Sequence, residues 1–341
     1  MLEDSLLISE WNDRLPGDVT AILIRAGNAQ DDPFLEFCRI FKKWAPKVDF
    51  IPADVPGKRA PAIEIRPGLR YRAIPAGPEL GPFLDALSGP PSEPMPEADL
   101  AEAPAFPMRL TLYIADRCPF CPGAVRSLLP LTADGGPADL TIVDAGRFPE
   151  DAAADGVRSV PALVFRDPVG GDRICWTGTL SIPEILGVAA SRDPSRLGAE
   201  SMASMIEAGD AAGLADMMLQ KGMIFPAFLE LLTHEKWPTR LGAMVAAETL
   251  AEKSPKLGAC LIEPLWALFP AAEEAVQGDI LYLLGTVGDA GILGRLASVI
   301  SGPHPTQVKE AAREAVAAIR SGSQRPQPDD EPFLPTQRRN G

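Results

Sequence analysis

Histidine is nearly missing from this chain of 341 residues: the two present, His234 and His304, stand far from the only cysteines that are close together. A zinc site of the Cys/His kind needs about four ligands, so no metal centre is expected within one chain. Cysteine is sparse as well, five in all, an odd and thin count that argues against a disulfide framework and for thiols kept reduced. Runs of Lys and Arg are lacking and the formal net charge is -14, which repels phosphate backbones and anionic lipid, so no nucleic acid partner is expected. Met1-Leu2-Glu3-Asp4 has neither the basic start nor the apolar stretch of a signal peptide. No segment approaches the roughly 20 apolar residues that cross a bilayer. A cytoplasmic protein without a membrane partner is the expectation.

What is there is ordinary for globular protein: 46% hydrophobic and 23% charged residues. The length exceeds what one core organises, and the chain divides by pattern. Residues 19 to 25 predict a buried strand, Asp31-Asp32-Pro33 opens a helix running to Trp44, and Val48 to Pro52 predicts a second strand. A proline-led strand follows, Arg59 to Ile65, then a hairpin partner around Arg70 to Ile74 and a helix from Pro78 to Leu87. Residues 1–88 are therefore one α/β domain. Residues 89–107 carry prolines 90, 91, 94, 96, 104 and 107 and predict an extended linker.

The pattern then repeats over residues 108–192: strand 109–114, helix from Pro119 to Leu129, strand 140–144, a proline-led strand at Ser159 to Phe165, strand 173–177 and helix 181–190. Ala-Pro-Ala-Ile-Glu-Ile of the first half matches Val-Pro-Ala-Leu-Val-Phe of the second, and each half closes on a helix that begins near Pro-Glu. This predicts an internal duplication. From 196 to 320 strand signals give way to amphipathic Ala- and Leu-rich segments whose paired spacing resembles HEAT repeats. Residues 322–341, poor in apolar groups, predict a disordered tail.

The chemistry lies at Cys118-Pro119-Phe120-Cys121, between a predicted strand and a predicted helix. A first thiol at a helix start meets unpaired N–H groups and the positive end of the helix, which favours a thiolate, so Cys118 is the expected nucleophile. One turn places Cys121 beneath it, where it can resolve a mixed disulfide. Pro119 suits the first helical turn because it has no N–H to lose. Arg117 flanks the nucleophile, where its charge would favour a thiolate unless it is simply solvated. An iron-sulfur cluster shared by two chains is the remaining alternative use of the dithiol, since four ligands would then assemble across a dimer.

With Cys118-Pro119-Phe120-Cys121-Pro122, Thr141-Ile142-Val143-Asp144, Ser159-Val160-Pro161-Ala162 and Ile182-Pro183-Glu184-Ile185-Leu186, residues 1 to 192 resemble the N-terminal domain of the alkyl hydroperoxide reductase flavoprotein subunit. They also resemble, more distantly, the tandem-fold protein disulfide oxidoreductases. The resemblance implies an α/β thioredoxin-like fold in tandem, followed here by the all-α HEAT-like domain. It also implies a cis peptide at Val160-Pro161, lying against the Cys118 sulfur and shaping substrate binding. Two departures stand out. The strand before the dithiol, Arg109 to Ile114, holds no acidic residue, so proton transfer would fall to water. No Gly-x-Gly-x-x-Gly follows a strand after the second fold, so no cofactor is expected and electrons must come from a separate flavoprotein reductase.

The first half carries Asp31-Asp32-Pro33 where the dithiol would be and should be catalytically silent. Cys38, Cys175 and Cys260 are expected as buried small apolar residues, and Trp176, Trp237 and Trp266 as core. The expected function is thiol-disulfide exchange, an enzyme passing electrons to protein disulfide clients or a peroxidase-type acceptor. The helical repeats would select a protein partner, and residues 1 to 192 alone should keep the dithiol active. The alternative is an adaptor whose repeats bind a client while the thioredoxin folds position or sense it.

Overall fold

The computed structural model describes residues 2–54, 60–89, 108–133, 136–166 and 173–322. The linker expected at 89–107 and the tail expected at 322–341 thus lie almost wholly outside the described residues. By internal contacts the chain forms two compact units, Met1–Leu231 and Leu232–Gly341.

In the first unit, α1 (Leu2–Arg14) precedes β1 (Val19–Arg25), α2 (Asp32–Trp44), β2 (Val48–Asp54), β3 (Ala62–Arg66), β4 (Leu69–Arg72) and α3 (Leu80–Leu87). The second half runs β5 (Met108–Ile114), α4 (Cys121–Leu128), β6 (Ala138–Asp144), α5 (Pro149–Ala154), β7 (Ala162–Arg166), β8 (Arg173–Thr177) and α6 (Ile182–Ser191). All eight strands form one sheet in the order β2-β1-β3-β4-β6-β5-β7-β8. Each half repeats one pattern. Its first two strands pair in parallel, its third lies antiparallel to the first, and its fourth antiparallel to the third. The halves join where β4 pairs in parallel with β6, Leu69 opposite Leu140 and Arg72 opposite Val143. The expected duplication is thus built as one continuous sheet.

The first half closes over an aromatic cluster. Phe41 touches Trp11, Phe37, Phe50 and Phe83 at ring separations of 6.2, 5.5, 5.8 and 5.8 Å, and Tyr71 meets Phe83 at 5.1 Å. Such pairs add about 0.5–1.5 kcal/mol each beyond area burial. Trp11 also donates from Nε1 to Ser88 Oγ at 2.9 Å, which fastens α1 to the end of α3. Two elements were not legible in the sequence. In α1 the apolar residues point both ways, with Ile8 and Trp11 buried but Leu6 62% exposed, so the period is blurred. Helix α5 is a single short stretch, started by Pro149 with Glu150 and Asp151 in its first turn.

Three helices follow in the same unit: α7 (Ala199–Glu207), α8 (Ala211–Lys221) and α9 (Phe228–Leu231). Helices α7 and α8 pack against β8, so the helical part of the chain begins as a layer on the second half of the sheet. In the second unit, α10 (Trp237–Lys253), α11 (Pro255–Ala259), α12 (Ile262–Leu268), α13 (Glu274–Val287), α14 (Leu293–Ser301) and α15 (Thr306–Gly322) follow in order. Leu265, Ile280, Leu284, Leu296 and Ala312 are fully buried there. Helices α13 and α15 cross at Gly285, where a side chain would meet the Ala315 Cα at 2.8 Å, so the close approach requires glycine. Arg240 and Asp279 tie α10 to α13 through a 2.6 Å bond from Nε to Oδ2. Among the described residues, no helix is long and apolar enough to cross a membrane.

Candidate active site

Strand β5 ends at Ile114, and the turn that follows delivers Cys118 to the start of α4. Cys118 is partly exposed and Cys121 fully buried, and both thiols are free. The Cys121 N–H donates to Cys118 Sγ at 3.2 Å, one of the helix-start donors that has no intrahelical partner. Across the cleft, the Cys118 thiol faces the Val160 carbonyl oxygen at 3.9 Å. Val160-Pro161 is a cis peptide, as is Ala60-Pro61 at the matching place in the first half. The turn and the proline loop, 42 residues apart, are brought together because β5 and β7 are neighbours in the sheet.

The flanking residues divide. Pro119 is exposed and Phe120 is 73% exposed, a large apolar ring beside the sulfur. Pro122 is buried in the first turn of α4. Arg117 has a left-handed backbone, φ 61°, and a nearly fully exposed side chain whose Nε stands 3.7 Å from Asp116. It is solvated and paired to its neighbour. Burial pushes the Cys121 thiol well above its ordinary value, and the adjoining Cys118 thiol and the charge of Glu79 push the same way.

Glu79 has no counterpart among the expected site residues. It closes a short 3-10 turn, Gly77–Glu79, that packs against α4. It is 6% exposed, and neither carboxylate oxygen has a hydrogen-bond partner. Desolvation raises its pKa to about 7, against a smaller lowering by Arg126. The corresponding acid of the second half, Glu184, accepts instead from Trp176 Nε1 at 3.2 Å. One signal did point to Glu79: both halves close on a helix opened by Pro-Glu, so its existence was readable, but its neighbour was not. Strand β5 itself holds no acid, and the charge of Glu79, from the other half of the sheet, is felt at Cys121.

In the first half, counting from the ends of β1 and β5, Ala29 and Asp32 occupy the positions of Cys118 and Cys121. Asp31 accepts from the N–H groups of Ala26 at 2.8 Å and Gly27 at 2.7 Å, so a carboxylate satisfies the loop there. Cys38 and Cys175 are buried as expected, and burial pushes their thiols up to about 12 and about 11. Cys260 departs from expectation: it is exposed, at the end of the short α11. Trp237 departs as well, 57% exposed at the first turn of α10, while Trp176 is fully buried and Trp266 stacks on Phe269. Cys260 caps the end of its helix, and Trp237 lies on the same exposed face of α10 as Leu241 and Val245. Among the described residues, no group of three or more His, Cys, Asp or Glu side chains is placed to hold a metal.

Among solved structures, the chain is similar to the alkylhydroperoxide reductase AhpF of Enterococcus faecalis, at 18% identity over 56% of this chain and 99% of that one, TM-score 0.45. It is similar to the separate N-terminal domain of that protein, at 18% identity over 56% and 99%, TM-score 0.44. A protein disulfide oxidoreductase from Aeropyrum pernix is similar at 17% identity over 58% of this chain and 95% of that one, TM-score 0.45. No protein-family model and no curated protein matches the chain.

Proposed function

We propose that the chain is a thiol-disulfide oxidoreductase that works through Cys118 and Cys121. The observation that carries this reading is one accessible sulfur, bonded to a helix-start N–H and facing the Val160 carbonyl, paired with a second, buried sulfur one helical turn on.

The Cys118 thiolate attacks one sulfur of a client disulfide. A bond forms between Cys118 and that sulfur, the client S–S bond breaks, and the departing thiolate takes a proton from water. Cys121 then gives its proton to Glu79 and attacks the Cys118 sulfur, closing the Cys118–Cys121 disulfide and releasing the second client thiolate. Two electrons have passed to the client, and a separate flavoprotein returns the protein to the dithiol. Glu79 suits the proton step because an acid with a pKa near 7 both accepts and returns a proton at neutral pH. Exposed Phe120 and the Val160-Pro161 loop form the surface that meets the client.

We further propose that the helical part of the chain, read as HEAT-like repeats, selects a protein partner. Trp237, Leu241 and Val245 recur at helical spacing on one exposed stripe of α10, and each is at least 39% exposed. The same stripe favours the adaptor reading as a second role. Reduction of insulin disulfides by the dithiothreitol-reduced protein tests the main reading: the wild type should accelerate it, and Cys118→Ser and Cys121→Ser should not. A wild type no faster than dithiothreitol alone would exclude the oxidoreductase role.

A further inference from the structure

The loop that faces Cys118 is held from behind by helices that lie outside the duplicated fold. Asp210, 3% exposed, stands at the start of α8. Its Oδ1 accepts from the Gly213 N–H at 3.1 Å, and its Oδ2 accepts from Thr177 Oγ1 at 3.1 Å. Thr177 is the last residue of β8 and pairs with Ala162, directly after Pro161. From the other side of the loop, Arg158 reaches Asp210 Oδ1 with Nη1 at 3.4 Å and Asp216 Oδ2 with Nη2 at 2.8 Å. Both ends of the segment Arg158–Ala162 are therefore tied to one buried carboxylate.

A third tie runs through Gly178. Its N–H donates to the Pro161 carbonyl at 3.1 Å. Its backbone is left-handed, φ +85°, and a side chain there would meet the Ser204 carbonyl oxygen of α7 at 3.0 Å. Helix α7 thus presses on the residue that holds Pro161. A single exposed ion pair contributes little, but here one guanidinium bridges two carboxylates, one of them buried and bonded to a strand end. Such a network fixes geometry, and reaction rates are sensitive to displacements of about 1 Å.

We propose that α7 and α8 form a brace that sets the position of the Arg158–Pro161 loop over Cys118, with Arg158 and Asp210 as positioning residues for exchange with protein disulfides. The inference rests on the thiol-disulfide reading. A protein client must lay its backbone along the loop, whereas a small disulfide needs to reach the sulfur alone. The brace therefore bears on large clients and not on small ones.

The full-length chain tests this with two substrates, insulin and the small aromatic disulfide dithiobis-nitrobenzoate, each used on wild type, Arg158→Gln, Arg158→Lys and Asp210→Asn. For Arg158→Gln, which leaves the Asp210–Thr177 bond in place, we expect kcat/KM for insulin to fall about tenfold through KM. The rate with the small disulfide should change less than about twofold, and Arg158→Lys should recover part of the loss. Equal insulin kinetics in wild type and Arg158→Gln would overturn the brace. So would a parallel loss with both substrates in step with a lower melting temperature in Asp210→Asn and Arg158→Gln, because that marks a merely structural role. A wild type inert towards both disulfides would instead remove the thiol-disulfide reading on which the brace depends.

Discussion

Replacing Glu79 with Gln should change the pH dependence of stability by an amount that the site itself sets. The folded acid titrates near pH 7 because burial disfavours its charge, against an ordinary value of 4.5. Below pH 4.5 it is neutral whether folded or not and contributes nothing. Between 4.5 and about 7 the unfolded chain has released the proton and the folded chain still holds it, so stability falls as pH rises through that window. By pH 8 the loss is complete, and the difference between the two values corresponds to roughly 3 kcal/mol. Gln keeps the shape and cannot ionise. The melting temperatures of wild type and Glu79→Gln should therefore be close at pH 5 and diverge by pH 8 in favour of the variant. For a unit of this size the gap should reach about 6–12 °C, at about 2–4 °C per kcal/mol. The same variant should resolve mixed disulfides more slowly at pH 7, because Cys121 loses its proton acceptor. A melting difference that stays flat from pH 5 to 8 would refute the claim that Glu79 is a buried, uncompensated carboxyl.

Iodoacetamide should label Cys118 well before Cys121, since Cys118 is partly exposed while Cys121 is fully buried and its thiol is pushed up by burial; peptide mapping that finds Cys121 labelled first would reverse their roles. A fragment of residues 1–231 should remain folded and redox-active, whereas residues 1–192 should lose stability, because Met202, Met205, Leu214 and Met218 of α7 and α8 belong to the core of the first unit; circular dichroism and an insulin assay on both fragments check this. Arg240→Ala should destabilise the second unit by about 3 kcal/mol, as it strips a nearly buried guanidinium from Asp279 and from the His234 carbonyl, and urea unfolding measures the loss.

The dithiol, the proline-led strands and the duplication were legible because each is written locally, in the spacing of two cysteines or the alternation of one strand. The joining of β4 to β6 was not, since a parallel pairing between halves leaves no mark on either strand: Leu69 and Leu140 look like any core residues. Glu79 acts on Cys121 from the other half of the sheet, a neighbourhood that only the sheet creates. Asp210 had no signal beyond that of a helix cap, and its ties to Thr177 and Arg158 follow from α8 packing on β8. Trp237 was expected in a core, but it lies on the outward stripe of α10 with Leu241 and Val245 and stands exposed, because the buried face there is made by Ala243, Ala246, Ala247 and Leu250.

The account turns on Cys118 as the attacking sulfur and Cys121 as the resolving one. Cys121→Ser, incubated with an oxidised protein client and analysed by non-reducing electrophoresis and mass spectrometry, should accumulate a mixed disulfide joined through Cys118. Cys118→Ser should form none, and the wild type should pass through the species without accumulating it. A mixed disulfide through Cys121 in the Cys118→Ser protein, or none in Cys121→Ser with a client that the wild type reduces, would contradict the assignment.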